Sequence, residues 1–399
     1  MTPASPRSSP TSTCRRKFPS DVASRGSANP STPGPGEPQR VYYGATVPAA
    51  ITIEWYDQID LLAPEWAALA DRTGADPFRR PGWVGAWHEA FGRGELVGVA
   101  ARHGGELVAV LPLQRSGRML SSTANWHTPV FGPVWERPDA VAKLGEALFA
   151  SCPRRILLAF VDSDDPLRES VLMRARGARY RTLDVTVQRS PYLDLKGDWE
   201  TLWQRMSSKR RNTLKRRRRK LEERGELTLR VLADGAQLGP PLEEALRVEA
   251  LGWKGRRGTA IESRPDTHLF YRRVAAWAGS EGTLRLALLR VDDRLVAFDY
   301  ALESRGRHYL LKTGFDPAYS DCAPGIVLRT MMIERAYALG LERYEFLGGE
   351  DDYKREWTQT TDDRRRIQAF APSPGGLAGW AAFRYGRPAA KRALEHVRR

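Results

Sequence analysis

Cysteine is scarce in this 399-residue chain, which has only Cys14, Cys152 and Cys322 and no CxxC pair. This usage argues against a disulfide framework and a zinc cluster, and it fits a reducing, cytoplasmic compartment. HExxH, Walker A and GxSxG patterns are also missing, and the six histidines are scattered. We therefore predict no metal site and no histidine-activated nucleophile. Because no run of about 18–20 apolar residues occurs, we also predict no transmembrane segment.

Residues 1–48 have few apolar side chains and are rich in proline, serine, threonine and glycine. Such a stretch cannot bury enough apolar surface to offset the entropy of ordering it. We interpret it as a disordered Pro/Ser-rich tail or as residues upstream of the true start. Its serine and arginine content leaves an organellar transit peptide as an alternative. Folded sequence is expected from about Ile51.

Acidic residues are outnumbered by basic ones, and the net charge is +15. Much of the excess lies in one segment, because nine of the twelve residues from Lys209 to Lys220 are basic. A sparse apolar stripe from Trp199 to Leu221 predicts one long helix that carries this run. The run is interpreted first as a solvated helix face, and otherwise as a contact for a polyanion or tRNA. It lacks the aromatic residues that nucleic-acid modules usually interleave.

An internal repeat organises the folded part of the chain. Residues 96–113 (LVGVAARHGGELVAVLPL) and 284–301 (LRLALLRVDDRLVAFDYA) both have the pattern of a β-hairpin, at an offset of 188 residues. A helix and a strand then follow in both places, at 141–165 and 327–352. This order predicts a tandem duplication with halves at 50–190 and 191–372, and the alternative is chance similarity of two α/β stretches. A basic helix is predicted at 375–399, packed on the domain surface or associated with a membrane surface.

Asp299 is an unexpected carboxylate, because both alternating sets of residues in the strand 294–303 are apolar enough to be buried. Its counterpart in the first half of the repeat is Leu111. A buried acid is costly unless it is paired or used. We therefore weigh two interpretations: a general base with a raised pKa, or a structural aspartate paired with a nearby arginine or lysine.

Three loops have compositions that fit ligand binding. The first, YSDCAPG at 319–325, precedes a helix predicted at 326–339, where backbone N–H groups and Gly325 could hold a phosphate. The alternative is an ordinary helix capped by Ser320 or Asp321. The second, LGGEDDYKREW at 347–357, follows a strand, where α/β sites usually lie; otherwise it is a charged turn flanked by core aromatics. The third, GWKGRRGTAIES at 252–263, is a loop near a ligand or a plain exposed loop.

In order and spacing, these segments resemble the GNAT acyltransferase superfamily, and most closely its CelD-type acetyltransferases of bacterial cellulose biosynthesis, which are related to the FemAB peptidyltransferases. The resemblance covers about 50–372 and is clearest in 199–357. It is carried by SSKRRNTLKRRRRKLEERGE, EALGWKGRRGTAI, LVAFDYAL, FDPAYSDCAPGIVL and FLGGEDDYKREW. It implies an α/β (α+β) fold of two tandem GNAT-like domains with mixed sheets flanked by helices. The half at 50–190 would be the scaffold and acceptor groove, and 191–372 the acyltransferase domain.

The resemblance also implies a reaction and its participants. Acetyl-CoA or another acyl-CoA would give its acyl group directly to an amine or hydroxyl of a small-molecule, saccharide or peptide acceptor. The usual GNAT loop (Q/RxxGxG/A) has more glycines than this one, which keeps a FemAB-like aminoacyl-tRNA donor as an alternative. A third possibility is a non-catalytic protein that binds nucleic acid or an anionic surface on a degenerate GNAT scaffold.

Site residues are assigned on the same resemblance. The expected base is Asp299, with Glu350 as second choice. The expected donor-binding residues are Ser320, Pro324, Gly325, Ile326 and Val327, and the expected acceptor contacts are Trp253, Lys254, Tyr353, Lys354 and Trp357.

Overall fold

A computed structural model describes residues 50–252, 258 and 260–386 of the chain. The chain divides into two compact units between Ala50 and Ile51, and the fold below is that of the second unit. The predicted tail at 1–48 lies outside the described residues. So does the predicted C-terminal helix from residue 387 onward.

The described residues alternate between strands and helices. The strands are β1 (Ile51–Tyr56), β2 (Glu95–His103), β3 (Glu106–Ser116), β4 (Met119–Ser122), β5 (Val134–Trp135), β6 (Arg155–Asp162), β7 (Arg181–Asp194), β8 (Leu227–Leu232), β9 (Leu284–Val291), β10 (Arg294–Ser304), β11 (Arg307–Phe315), β12 (Arg343–Glu345) and β13 (Thr361–Phe370). The helices are α1 (Ala63–Thr73), α2 (Pro81–Phe91), α3 (Pro138–Ala150), α4 (Pro166–Gly177), α5 (Trp199–Arg205), α6 (Ser208–Glu222), α7 (Gly239–Leu251), α8 (Pro265–Ser280), α9 (Pro324–Ala338), α10 (Asp352–Arg355) and α11 (Pro374–Ala381).

The strands form one continuous mixed sheet of thirteen strands in the order β1-β2-β3-β4-β6-β13-β7-β12-β11-β10-β9-β8, with β5 paired to β3. Strand β7 lies in the middle of the sheet and joins its two halves, because it pairs with β13 on one side and with β12 on the other. The boundary expected at 190/191 therefore falls inside a strand that both halves use. Strand β13, from the end of the chain, lies between β6 and β7.

The two halves repeat the same pairing pattern. Strands β2 and β3 form one antiparallel hairpin, and β9 and β10 form the other. In each half a helix then leads into a short parallel pairing. It joins 119–121 of β4 to 155–157 of β6 in the first half, and 307–309 of β11 to 343–345 of β12 in the second. The repeat seen in the sequence is thus a repeat of topology.

The halves are packed together through an aromatic core. Trp83 of α2 is fully buried and its ring meets Phe270 of α8 edge to face, with 5.2 Å between centroids. Close approach of these helices depends on Gly82, because a Cβ there would lie 2.1 Å from Cδ1 of Trp277. A shared core of this kind fixes the relative position of the two halves.

The single long helix predicted from Trp199 to Leu221 is wrong. The segment forms two helices, α5 and α6, because Met206 and Ser207 adopt extended backbone angles between them. Ser207 caps α6, accepting a hydrogen bond from the backbone N–H of Arg210 at 3.3 Å. The basic run lies on α6, which is anchored by the buried side chains of Leu214 and Leu221.

Helix α11 packs on the sheet. Trp380 Nε1 donates to the carbonyl of Thr182 at 3.3 Å. In the part of the chain that the structure describes, no helix is both long and apolar enough to cross a bilayer.

Candidate active site

A large cavity opens where β11 and β12 separate. The two strands pair in parallel only as far as Tyr309 and Glu345. Beyond that point, residues 310–315 of β11 and 346–348 after β12 form facing walls of a cavity of about 730 Å³. This volume lies in the range of small-molecule sites, about 300–1,000 Å³.

Strand β11 is distorted where it forms the cavity wall. Its register against β10 shifts between Lys312 and Leu310, which leaves Leu311 as an extra residue. A bulge bends a strand and re-aims its side chains. On the cavity side, no described strand pairs with β11 beyond Tyr309. This edge therefore presents main-chain groups to a ligand.

Helix α9 begins beside this wall without a side-chain cap. Ala323 occupies the cap position with a left-handed backbone (φ +50°), and no described side chain caps the helix. The alternative, a helix capped by Ser320 or Asp321, is wrong: both oxygens of Asp321 accept from Arg224 at 2.9 Å. Pro324 has no N–H, and the N–H groups of Ala323, Ile326 and Val327 donate to main-chain carbonyls. The N–H of Gly325 is therefore left for another partner.

The expected donor-binding residues surround this helix start. Ser320 lines the cavity. Pro324, Gly325, Ile326 and Val327 form the first turn of α9. Gly325 faces the wall, since a Cβ placed on it would meet Cδ1 of Phe315 at 3.7 Å, an ordinary contact.

Asp299 is held in a buried ion pair. It is 0% exposed, and its two carboxylate oxygens accept from Nη1 and Nη2 of Arg329 at 2.5 and 2.8 Å. Arg329 Nη1 also donates to the hydroxyl of Tyr344 at 2.6 Å. Asp299 is not among the described residues that line the cavity. This geometry favours the structural interpretation over the base, because Arg329 occupies both carboxylate oxygens and the side chain is fully buried.

Lys354 fastens the loop that forms the second wall. Its Nζ donates to the carbonyls of Leu347 and Gly349 at 2.9 Å each and pairs with Asp351 at 2.7 Å. Burial lowers the pKa of Lys354, against the opposing effect of Asp351. Tyr353 also lines the cavity.

The remaining predicted residues lie away from the cavity or outside the described residues. Glu350 is close to Arg189 and Arg355, at 3.9 and 3.8 Å, and is not among the described lining residues. Trp357 is buried in the core, with the guanidinium of Arg210 4.5 Å from its ring centroid. Trp253 and Lys254 lie outside the described residues.

Several residues that line the cavity were not predicted from the sequence. The first half contributes 126–129 of the loop after β4, and Glu249 and Tyr271 come from α7 and α8. His127 Nδ1 lies 3.2 Å from the Tyr271 hydroxyl. Burial, assisted by Lys312, lowers the pKa of His127 to about 4, so the imidazole is neutral at pH 7. An isolated histidine in a loop outside the repeat gives no sequence signal, because its partner Tyr271 is 144 residues away.

Comparison with known proteins agrees with this geometry. Residues 208–355 match the family model of an acetyltransferase (GNAT) domain. FemX superposes with a TM-score of 0.53 at 12% identity, over 76% of this chain and 95% of FemX. No match is found among curated proteins.

Two further solved structures are similar at lower scores. L-PGS from Bacillus licheniformis has a TM-score of 0.49 at 13% identity, over 80% of this chain and 95% of that one. A tandem GNAT protein from the clavulanic acid biosynthesis pathway has 0.43 at 14% identity, over 81% and 100%. The predicted fold class is confirmed: mixed α/β with two tandem GNAT-like domains and a mixed sheet flanked by helices. The chain thus shares the fold of FemX, and its residues 208–355 match a GNAT domain.

Proposed function

We propose that this protein transfers an acyl group, in particular acetyl, from acyl-CoA to an amine or hydroxyl acceptor in a ternary complex. The observation that carries the proposal is the cavity between the diverging strands β11 and β12, beside the uncapped start of α9, within the segment that matches the acetyltransferase model. Placement in the CelD-type branch and in the cytoplasm rests on the sequence resemblance and cysteine usage alone.

The donor's pyrophosphate is proposed to bind at the start of α9. The N–H of Gly325 and the helix dipole favour an anion there. No acidic residue lies in the first turn. Gly325 has no side chain to cover its backbone and is partly exposed, and Ser320 lines the cavity.

Rate enhancement is proposed to come from positioning and from polarisation of the thioester carbonyl by main-chain N–H groups of β11. His127, neutral at pH 7, is proposed to contact the acceptor. We do not propose Asp299 as the general base, because Arg329 donates hydrogen bonds to both of its carboxylate oxygens. Glu350 stays a predicted base.

A thermal-shift titration with CoA and acetyl-CoA, joined to a thiol-release assay, tests the proposal. Saturable stabilisation of the fold is expected, because a ligand that binds only the native state raises its stability. Absence of any shift at millimolar ligand would overturn the assignment of the donor. Asp299→Asn should retain CoA-dependent stabilisation, whereas Gly325→Val should weaken it.

An aminoacyl-tRNA donor is the second candidate, and the fold shared with FemX supports it. Helix α6 presents Lys209, Lys215 and Arg216 to solvent and packs against α9. Under this alternative, tRNA would bind with an affinity that falls steeply with salt, and CoA would not stabilise the fold. A non-catalytic RNA-binding protein would show the same salt dependence without any thiol release or aminoacyl transfer.

A further inference from the structure

A second cavity lies next to the one between β11 and β12, and Pro129 and Leu347 line both. Its volume is about 440 Å³, which is enough for a small organic ligand. One side is formed by 162–164 at the end of β6, and the other by β12 and by 361–364 of β13. A ligand held here can therefore extend into the first cavity past the two shared residues.

The walls of this second cavity are negatively charged. Three arginines, Arg307, Arg343 and Arg364, face six carboxylates. The arginines are already paired: Arg364 with Asp162, Arg343 with Glu345 at 2.8 Å, and Arg307 with Glu345 at 3.8 Å. The six carboxylates are Asp76, Asp162, Asp164, Glu345, Asp362 and Asp363. Two more arginines, Arg79 and Arg189, pair with Asp76, Asp162 and Asp363, and Arg343 pairs with Asp362. An anion would find these guanidiniums occupied, whereas a cation would meet the negative charge of Asp164 and the second oxygen of Glu345.

Glu345 has an oxygen that the fold does not satisfy. The residue is 2% exposed, and its Oε2 has no hydrogen-bond partner among the described residues. A buried carboxylate oxygen without a partner is costly, and such groups in native proteins often await a ligand or water. Asp164, on the exposed side of the cavity, forms no ion pair with any described residue.

The spacing of these acids argues against a metal ion as the ligand. In the described ranges, no three His, Cys, Asp or Glu side chains converge closely enough to hold a metal ion. The negative charge is spread along the cavity instead. This distribution suits an ammonium or guanidinium group of an organic ligand better than a metal ion.

Building on the proposed acyl transfer, we infer that the acceptor is an amine that carries a second cationic group, and that this acidic cavity binds that group. The reacting amine then lies past Pro129 and Leu347, in the cavity between β11 and β12. There the acyl C–S bond breaks as the C–N bond forms. The ammonium loses two protons, one to the departing CoA thiolate and one to water, which leaves an amide and CoA thiol.

Calorimetric titration of the full chain with spermidine, a linear triamine, tests this inference. Saturable binding is expected, weakened about tenfold in Glu345→Gln and in Asp164→Asn, since each loses one charge-assisted contact. The matched control is Glu334→Gln, because Glu334 is exposed on α9 and lines neither cavity. Acetyl-CoA should stabilise all four proteins equally.

The inference is overturned if spermidine does not bind saturably, if both variants bind it like the wild type, or if inorganic phosphate displaces it. If the wild type binds spermidine but does not bind acetyl-CoA, the proposed acyl transfer is overturned, and the assignment of the acidic cavity as a cation site is retained. Faster thiol release with spermidine than with n-butylamine would support both.

Discussion

The two halves share a topology, yet they differ at three matched positions. In the first hairpin Leu111 is buried among apolar residues, and the second hairpin has Asp299, paired with Arg329. The third residue of the parallel pairing is Leu157 in the first half and Glu345 in the second. The second half thus carries polar interactions in places where the first half has only packing.

At the third position the polar residue is in the first half instead of the second. Helices α3 and α9 both begin with proline, and the next residue is Asp139 in α3 and Gly325 in α9. Asp139 accepts the backbone N–H of Ala140 at 3.0 Å and so occupies the first half's helix start. The start of α9 carries no such acid. This difference supports placing the proposed anionic donor at the helix start of the second half.

The largest effect is expected at the first of these positions. Asp299→Leu gives the second half the residue of the first and leaves Arg329 as an unpaired buried charge. The free energy of unfolding should fall by about 3–5 kcal/mol, measured by urea denaturation. The double variant Asp299→Leu/Arg329→Met should recover most of this loss, because no charge remains buried.

An opposite pattern at Asp299 would restore its catalytic role. If Asp299→Asn kept full stability and CoA binding but abolished transfer, the ion pair would be incidental and the carboxylate would be the base.

Glu345 should make stability depend on pH. Burial raises the pKa of Glu345 from 4.5 to about 7, although Arg343 opposes the rise. Between these values the unfolded chain has lost the proton that the folded chain keeps, so stability falls as pH rises from about 4.5 to 7. Glu345→Gln should remove this fall, on the order of 2 kcal/mol between pH 5 and pH 8. Denaturation at the two pH values measures it.

The exposed variant Glu334→Gln serves as the control for this pH dependence. An unchanged pH slope in Glu345→Gln would show that Glu345 titrates as an ordinary carboxyl.

A smaller effect is expected at Ser207, between helices α5 and α6 near the start of the second half. Ser207→Ala removes the cap of α6 and should cost about 1 kcal/mol of stability, read from the urea midpoint. Thr213→Ala, within the same helix, is the internal control. A loss of stability below that of Thr213→Ala would mean that α6 does not depend on its cap.

The local sequence pattern of apolar alternation and turn residues predicted more of the fold than of the candidate site. The hairpins, the helix after 324 and the burial of Asp299 follow from alternation and turn residues, which act over short distances. The partner of Asp299 could not be read, because Arg329 lies 30 residues away on a helix. The placement of β13 between β6 and β7, and the reach of His127 to Tyr271, depend on pairing and packing across the chain. Those contacts exist only once the whole sheet has formed.

Acetyl-CoA binding to a reciprocal pair of variants tests the central contrast most directly. Gly325→Asp places in α9 the acid that α3 has, at a position with room for a Cβ. Asp139→Gly removes it from α3. We expect saturable binding to the wild type, at least about tenfold weaker binding to Gly325→Asp, and unchanged binding to Asp139→Gly. Undiminished binding to Gly325→Asp, or loss of binding in Asp139→Gly alone, would contradict a donor site at the start of α9.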